Sequence, residues 1–439
     1  MNILQIVASM NPNEGGVSKG IRNTIPELNR LGVTNEVACL NSPGSDELWD
    51  DSFTIHCLGP SKSSWAYSPL LRPWLATNLS RFDAVILNGL WQYPAMATRK
   101  ACLSRGTPYY VMPHGMLDPW FQRDPSRRIK AIRNWFYWKG IEHKTIRDAE
   151  AVLFTCETEK LLAREPFRPY RPKKEITVGY GIEEPPKESP REKEELYNRC
   201  PALKDQTYLL FLSRIHPKKG LDLLIQAYAS LRDAVASDKL QVEREPFPKL
   251  VIAGPGLETP YGKRCLELCQ SLGLPTRIPT ENTKASSTSC PLPLHTSHSA
   301  PGPAAYFLGM VDGPLKWGCL RNAEAFVLPS HQENFGIAVV EALACGTPVL
   351  ISDQVNIWRE IERDGAAIVG KDNLSGTTSL LRDWHAQSED TKNRMSRNSQ
   401  ASFRTHFSIE MAAKKFIRSI EPADKRTPRK KEEAAIPCR

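Results

Sequence analysis

Short apolar runs of strand length recur along this chain, separated in many places by helix-forming segments, and the series stops once and starts again. Residues 3–8, 36–40, 84–87, 108–112 and 151–154 make the first series; residues 208–212, 249–256, 304–308, 325–328 and 347–351 make the second. Alternation of this kind folds as a parallel, doubly wound α/β sheet. Between the series, residues 183–195 are rich in proline and charge and read as a connection. The expected organisation is therefore two doubly wound domains, residues 1–185 and 207–408, joined by a linker at 186–206. Within the second domain, residues 276–303 carry Ser, Thr, Pro and His with few large apolar side chains, the composition of a disordered insertion. A closing helix at 409–420 and a charged tail at 421–439 complete the chain.

Residues 330–350 hold the most informative pattern, Ser-His-Gln-Glu-Asn-Phe-Gly-Ile-Ala-Val-Val-Glu-Ala-Leu-Ala-Cys-Gly-Thr-Pro-Val-Leu. Pro329 closes a strand, helix formers run from Ile337 to Ala344, and Gly346 with Pro348 stops the helix before the next strand. Glu333 falls in the loop and Glu341 on the helix. Eight residues of helix rise roughly 12 Å, at about 1.5 Å each. Paired glycosidase carboxylates stand about 5 to 9.5 Å apart across one bond, so the two glutamates are not expected to act as an acid/nucleophile pair. Between them, the helix start near Asn334-Phe335-Gly336 offers free N–H groups and the positive end of a dipole to an anion. Hydroxyl groups at both ends with phosphate between them describe a nucleotide-sugar. On spacing alone, a solvated loop glutamate and a helix-surface charge fit equally well.

Other polar loops follow expected strands, at the edge where open α/β sheets bind ligands. Asn13-Glu14-Gly15-Gly16-Val17-Ser18-Lys19-Gly20 opens a helix running to about Leu31. Its glycine spacing departs from the dinucleotide fingerprint, and Ala38-Cys39-Leu40-Asn41 supplies no acidic residue at the end of the next strand, which disfavours a nicotinamide cofactor. His114, in Pro113-His114-Gly115, either meets a ligand or is satisfied by backbone. Arg214 and Lys219 flank one loop and could both reach a phosphate, the Arg as a fork and the Lys as a point charge. Residues 123–147 mix Arg127, Arg128, Lys130, Arg133, Lys139, Lys144 and Arg147 with Trp135, Phe136, Tyr137 and Trp138. Such a stretch fits an anionic membrane surface or a half-buried helix with a solvated charged face. The net charge of +9 agrees with an anionic partner, and no nucleic-acid module signature is present. Eleven cysteines lie scattered without metal-ligand spacing and are expected as free thiols in a reducing cytoplasm. No apolar run approaches the roughly 18 to 20 residues of a membrane span, and the first residues read as a strand rather than a signal peptide. The expected location is cytoplasmic, peripheral on the inner face of the membrane if the basic stretch docks there.

Three segments in this order match one family. Glu333-Asn334-Phe335-Gly336 through Glu341 and on to Val349 matches its E-x7-E signature. Ser213-Arg214 through Lys219-Gly220-Leu221-Asp222 matches its R-x4-K-G element, and Val251-Ile252-Ala253-Gly254-Pro255-Gly256 its second-domain glycine turn. The chain thus resembles the retaining glycosyltransferases of family 4, the glycosyl transferases group 1 set, most densely over residues 208–369. The resemblance implies two facing Rossmann-like domains (the GT-B fold), a nucleotide-sugar donor held mainly by the second, and retention at the anomeric carbon. It places Glu333 by the donor sugar, Arg214 and Lys219 on the diphosphate, Asn334 and the amides near Phe335, Gly336 and Ile337 against the donor, and Glu341 on the ribose. Gly15 and Gly16 match a first-domain loop that lets donor and acceptor approach closely. His114 falls where many members place a histidine near the reacting sugar, so Glu333 and His114 are the catalytic candidates. The implied acceptor is a glycan or lipid-linked hydroxyl, in assembly of a cell-surface polysaccharide or glycolipid. No metal and no cofactor are expected, the nucleotide-sugar being a co-substrate. The insertion at 276–303 precedes the strand that leads to the nucleotide base and departs from the pattern. A catalytically inactive nucleotide-sugar binder of the same fold is the alternative.

Overall fold

A computed structural model describes residues 1–11, 15–45, 49–123, 127–237, 247–278 and 304–421. Most of the expected insertion and all of the expected tail except Glu421 lie outside the described residues. The first sheet contains β1 (Asn2–Ile6), β2 (Thr34–Cys39), β3 (Thr54–Cys57), β4 (Ala84–Asn88), β5 (Tyr109–Met112), β6 (Ala151–Phe154) and β7 (Glu175–Thr177), in the order β3-β2-β1-β4-β5-β6-β7. The second contains β8 (Tyr208–Leu212), β9 (Lys249–Ala253), β10 (Thr276–Arg277), β11 (Ala305–Gly309), β12 (Ala325–Leu328), β13 (Val349–Ser352) and β14 (Ala367–Gly370), in the order β10-β11-β9-β8-β12-β13-β14. Every pairing in both sheets is parallel. Central strands β4 and β8 are buried along their whole length, as strands covered by helices on both faces must be. Strand order reverses between β1 and β4 in one sheet and between β8 and β12 in the other, which opens a crevice at the carboxyl ends of each pair.

Two expectations about the connections change. The linker at 186–206 contains a helix, Pro190–Arg199. Its proline occupies the start of the first turn, where the missing N–H costs nothing. That helix buries Leu196 and packs on the helix Gly313–Arg321, with Glu192 paired to Arg321 at 3.0 Å. Thr276–Arg277, expected to open the insertion, instead form the edge strand β10 beside β11. The terminal helix Ile409–Ile420 returns to the first domain and packs on the helix Gly15–Arg30. Beside it, Ile182 N donates to Phe407 O at 3.0 Å and Ile409 N to Ile182 O at 2.9 Å, so the two chain crossings lie side by side.

The basic aromatic stretch divides into short helices. Trp138 is fully buried and stacks on Phe167, whereas Ile129, Ile132, Trp135 and Phe136 of the helix Arg128–Tyr137 face outward. No helix among the described residues is long and apolar enough to cross a membrane. The described cysteines form no disulfide.

Candidate functional site

The loops after β8 and β12 meet at the switch point of the second sheet. Lys218 O accepts from His331 N and from Ser330 Oγ, both at 2.8 Å, which ties the two loops together. Lys219 Nζ pairs directly with the Glu333 carboxylate, at 12% and 23% side-chain exposure. Glu333 is fixed at its backbone as well: its N–H donates to Gln354 O and its carbonyl accepts from Asn356 N, each at 3.0 Å. Gly336 begins the helix Ile337–Ala344 at φ +76°, where a Cβ would stand 3.3 Å from Glu333 Cγ. Among the described residues no side chain caps this helix, which leaves first-turn amides without a capping side chain beside Glu333. Arg214 is exposed and makes no ion pair among the described residues. Glu341 is 8% exposed; Lys316 Nζ holds it at 3.0 Å, and Lys19 Nζ approaches to 4.0 Å from the first domain. Lys219 thus brings positive charge to Glu333, and Lys316 and Lys19 bring it to Glu341. Lys19 and Lys316 were not singled out by motif, because each acts through a partner in a distant element.

Phe335 keeps only its backbone for the expected contact, and Gly15 and Gly16 sit differently from the expected loop. The Phe335 ring is buried between Tyr180 and Phe407, with centroids 4.7 and 5.9 Å away, so only its backbone faces the pair. Gly15 and Gly16 lie in the first turn of a helix rather than in a loop. A Cβ on Gly16 would meet nothing within 4 Å among the described residues outside its own helix and chain neighbours.

In the first domain the loop after β5 carries His114 at φ +51° and Gly115 at φ +79°. Glu159, three residues after the capping Cys156, holds this loop: its Oε1 accepts from Gly115 N at 2.5 Å and its Oε2 from Thr155 N at 2.7 Å. Capping-box spacing, with cysteine in the capping position, is the signal that would have found Glu159. His114 Nε2 lies 2.9 Å from Asn88 Oδ1. Burial pushes the His114 imidazole down to about 4. From there up to the ordinary value near 6.5, the unfolded chain binds a proton that the folded chain refuses. Stability therefore rises with pH through that window and is lost on acidification. His114→Phe is expected to flatten this part of the profile in denaturant titrations run across the window. An unchanged slope would rule out the half-buried neutral imidazole.

The domains touch through the residues flanking Glu333. Gln332 Nε2 donates to Asp118 Oδ2 at 3.3 Å, and Asn334 Nδ2 to Thr155 Oγ1 at 3.2 Å. Lys218 Nζ sits 3.7 Å over the Trp120 ring, and Arg359 Nη1 donates to Thr158 Oγ1 at 2.7 Å. A Cβ on Gly115 would stand 2.8 Å from Asn334 Cγ. Glu333 is thus bracketed by two residues that both register on the His114 side of the cleft.

Residues 192–281 and 295–402 match the model described as glycosyl transferases group 1, and residues 15–181 match the glycosyl transferase 4-like domain. The break between the first two matched segments falls in the expected insertion. The D-inositol 3-phosphate glycosyltransferase of Geodermatophilus obscurus is 32% identical over 171 residues, 38% of this chain and 30% of that protein. An uncharacterized glycosyltransferase of Methanocaldococcus jannaschii is 28% identical over 185 residues, 41% of this chain and 37% of that protein. The chain thus spans about a third of the length of these curated relatives. A glycosyltransferase structure from Rickettsia africae superposes with TM-score 0.69 at 16% identity, over 95% of this chain and 97% of the other. Anabaena HepE in complex with UDP and glucose gives 0.66 at 17% identity, over 95% and 99%.

Proposed function

Because the chain belongs to the glycosyl transferases group 1 family and has the GT-B fold, we propose that it is a retaining transferase that moves a sugar from a nucleoside-diphosphate donor to an acceptor hydroxyl. The observation that carries this reading is the Lys219–Glu333 pair beside the uncapped Gly336 helix start, at the switch point of the second sheet. In this pair the cation and the carboxylate satisfy each other. A donor diphosphate would draw Lys219 and Arg214 to itself, free Glu333 for the sugar hydroxyls, and place Glu341 by the ribose. Negative charge developing on the leaving diphosphate would then meet two cations and the first-turn amides of a helix. The UDP-glucose complex of Anabaena HepE supports a nucleotide-sugar in this cleft. A mass-spectrometric screen of nucleotide-sugars tests the reading, with NMR of the product to read the anomeric configuration. Inversion would sink the retaining mechanism. Tight donor binding without turnover would instead favour an inactive binder.

The same cations and amides make a divalent metal unnecessary in this proposal. Transfer should therefore persist at full rate after chelator treatment and dialysis; loss that magnesium or manganese restores would overturn this part.

The proposed acceptor is a glycan or lipid-linked hydroxyl on the way to a cell-surface polysaccharide or glycolipid. It is reached from an anionic membrane surface. Outward Ile129, Ile132 and Phe136 alternate with Arg128, Lys130 and Arg133 on one helix, which supplies both apolar and electrostatic attraction. The double variant Ile129→Ser/Phe136→Ser should weaken sedimentation with anionic vesicles by at least about tenfold, since each large side chain buried is worth ~1.5–3 kcal/mol. Indifference of the wild type to lipid charge at low salt would dismiss the surface.

A further inference from the structure

We propose that Asn35, Gln5 and Asn88 form a directional amide relay that fixes the tautomer of His114. They would be positioning residues for the histidine, and their catalytic importance rests on the function proposed above. The relay crosses the first sheet from β2 through β1 to β4. Its direction is set at one end by a backbone carbonyl. Asn35 Nδ2 donates to Val33 O at 2.9 Å, which turns Asn35 Oδ1 toward Gln5 Nε2 at 3.4 Å. The remaining oxygen of Gln5 accepts from Asn88 Nδ2 at 2.9 Å. Asn88 Nδ2 also reaches Ile86 O at 3.4 Å, a second anchor for the same amide orientation. Only the Asn88 oxygen is left to face His114 Nε2, at 2.9 Å. A carbonyl oxygen accepts and never donates, so Nε2 carries the hydrogen. A neutral imidazole has one N–H, and Nδ1 therefore presents a lone pair.

Burial shows why this arrangement calls for explanation. Gln5, Asn35 and Asn88 are 5%, 3% and 7% exposed. They stand on strands whose neighbours Leu4, Val37 and Leu87 are apolar and buried. Three amides in such places are costly unless each is hydrogen-bonded, and apolar side chains would fit the same positions without that demand. The chain of amides ends at a histidine that, together with Gln5 and Asn88 themselves, lines the cavity beside Tyr180 and Gly179, under the helix Gly15–Arg30. Nδ1 has no partner among the described residues. Every relay member is neutral, and Glu159, which supports the same loop, spends its oxygens on Gly115 and Thr155. Among the described residues no carboxylate therefore holds the imidazole as a cation. What the relay offers the cavity is a fixed hydrogen-bond acceptor for one hydroxyl, rather than a proton store.

The tautomer can be read directly. In donor-free, full-length protein carrying 15N-labelled histidine, long-range proton–nitrogen correlation at neutral pH is expected to show His114 as the single Nε2–H form. The Nδ1–H form, or a mixture, overturns the relay whether or not the enzyme transfers sugar. Gln5→Met removes the oxygen that orients Asn88, without touching the Asn88–His114 bond itself. It is expected to admit the second tautomer and to lower kcat by about tenfold, the scale of one misdirected hydrogen bond, with donor KM changed by less than about twofold. An unchanged tautomer in folded Gln5→Met also overturns the relay. His114→Ala separates the two ideas: unimpaired transfer in that variant would refute the role of the histidine and leave the tautomer measurement standing.

Discussion

Lys219→Ala is expected to lower kcat/KM for the sugar donor by about 10²- to 10³-fold, the range found when one preorganised charge-stabilising donor is removed. The lysine faces the place where leaving-group charge develops, and its loop is held by bonds that do not involve its side chain. His216 Nδ1 accepts from Lys218 N at 3.2 Å, and Gly220 turns the chain at φ +65°, where a Cβ would meet Pro329 O at 2.1 Å. Removing the ammonium should leave that frame intact. Some stability should be lost as well, because the pair is largely buried and removing the ammonium leaves the Glu333 carboxylate unpaired. Lys219→Arg should recover only part of the activity, since a planar fork does not superpose on a point charge in so tight a loop. Glu333→Gln should be similarly damaging. Combining it with Lys219→Ala should cost little beyond the worse single change, because each side chain positions the other. Steady-state kinetics with denaturant unfolding on the same samples decides the matter. Unchanged turnover in folded Lys219→Ala would remove the lysine from the site.

What could be read beforehand follows from how local each signal is. Strands β8, β12 and β13 are continuous apolar runs because both faces are covered, and such runs stand out in a sequence. Strands β3 (Thr-Ile-His-Cys) and β7 (Glu-Ile-Thr) pair at the sheet margin and carry too few apolar residues to be seen. The helix Pro190–Arg199 was hidden by its own proline and charge, because only its packing on Gly313–Arg321 gives Leu196 something to bury against. In the site, Glu333, Gly336 and Glu341 were legible as one loop and helix. Their partners were not: Lys316 is 25 residues from Glu341, and Asn88 is 26 residues from His114. The family resemblance pointed to Gly15 and Gly16 as the place of close approach. Yet the tightest glycine contact across the cleft is Gly115 against Asn334, which depends on two domains meeting and has no local signature.

That contact carries the second large effect. Gly115→Ala meets two penalties: φ +79° places an L side chain in the left-handed region, and its Cβ would stand 2.8 Å from Asn334 Cγ. The backbone term alone is roughly 1–2 kcal/mol. The steric term falls on Asn334, whose amide bonds Thr155 on one domain and Asn356 on the other. Asn334 adjoins Glu333, so pushing the domains apart at this point moves the catalytic candidates relative to each other. Transfer is expected to fall by about 100-fold, the loss that a misplacement near 1 Å produces, while the donor site, built by the second domain, keeps its affinity. Gly106→Ala is the matched control. It also sits at a positive φ, +71°, but a Cβ there meets nothing within 4 Å, and it caps the helix Tyr93–Arg105 away from the domain contact. Gly106→Ala should lose the backbone term alone, Gly115→Ala that and the steric term, and only Gly115→Ala should lose turnover. Equal losses of turnover would mean that strain in the first domain, and not the meeting of Gly115 with Asn334, limits the reaction.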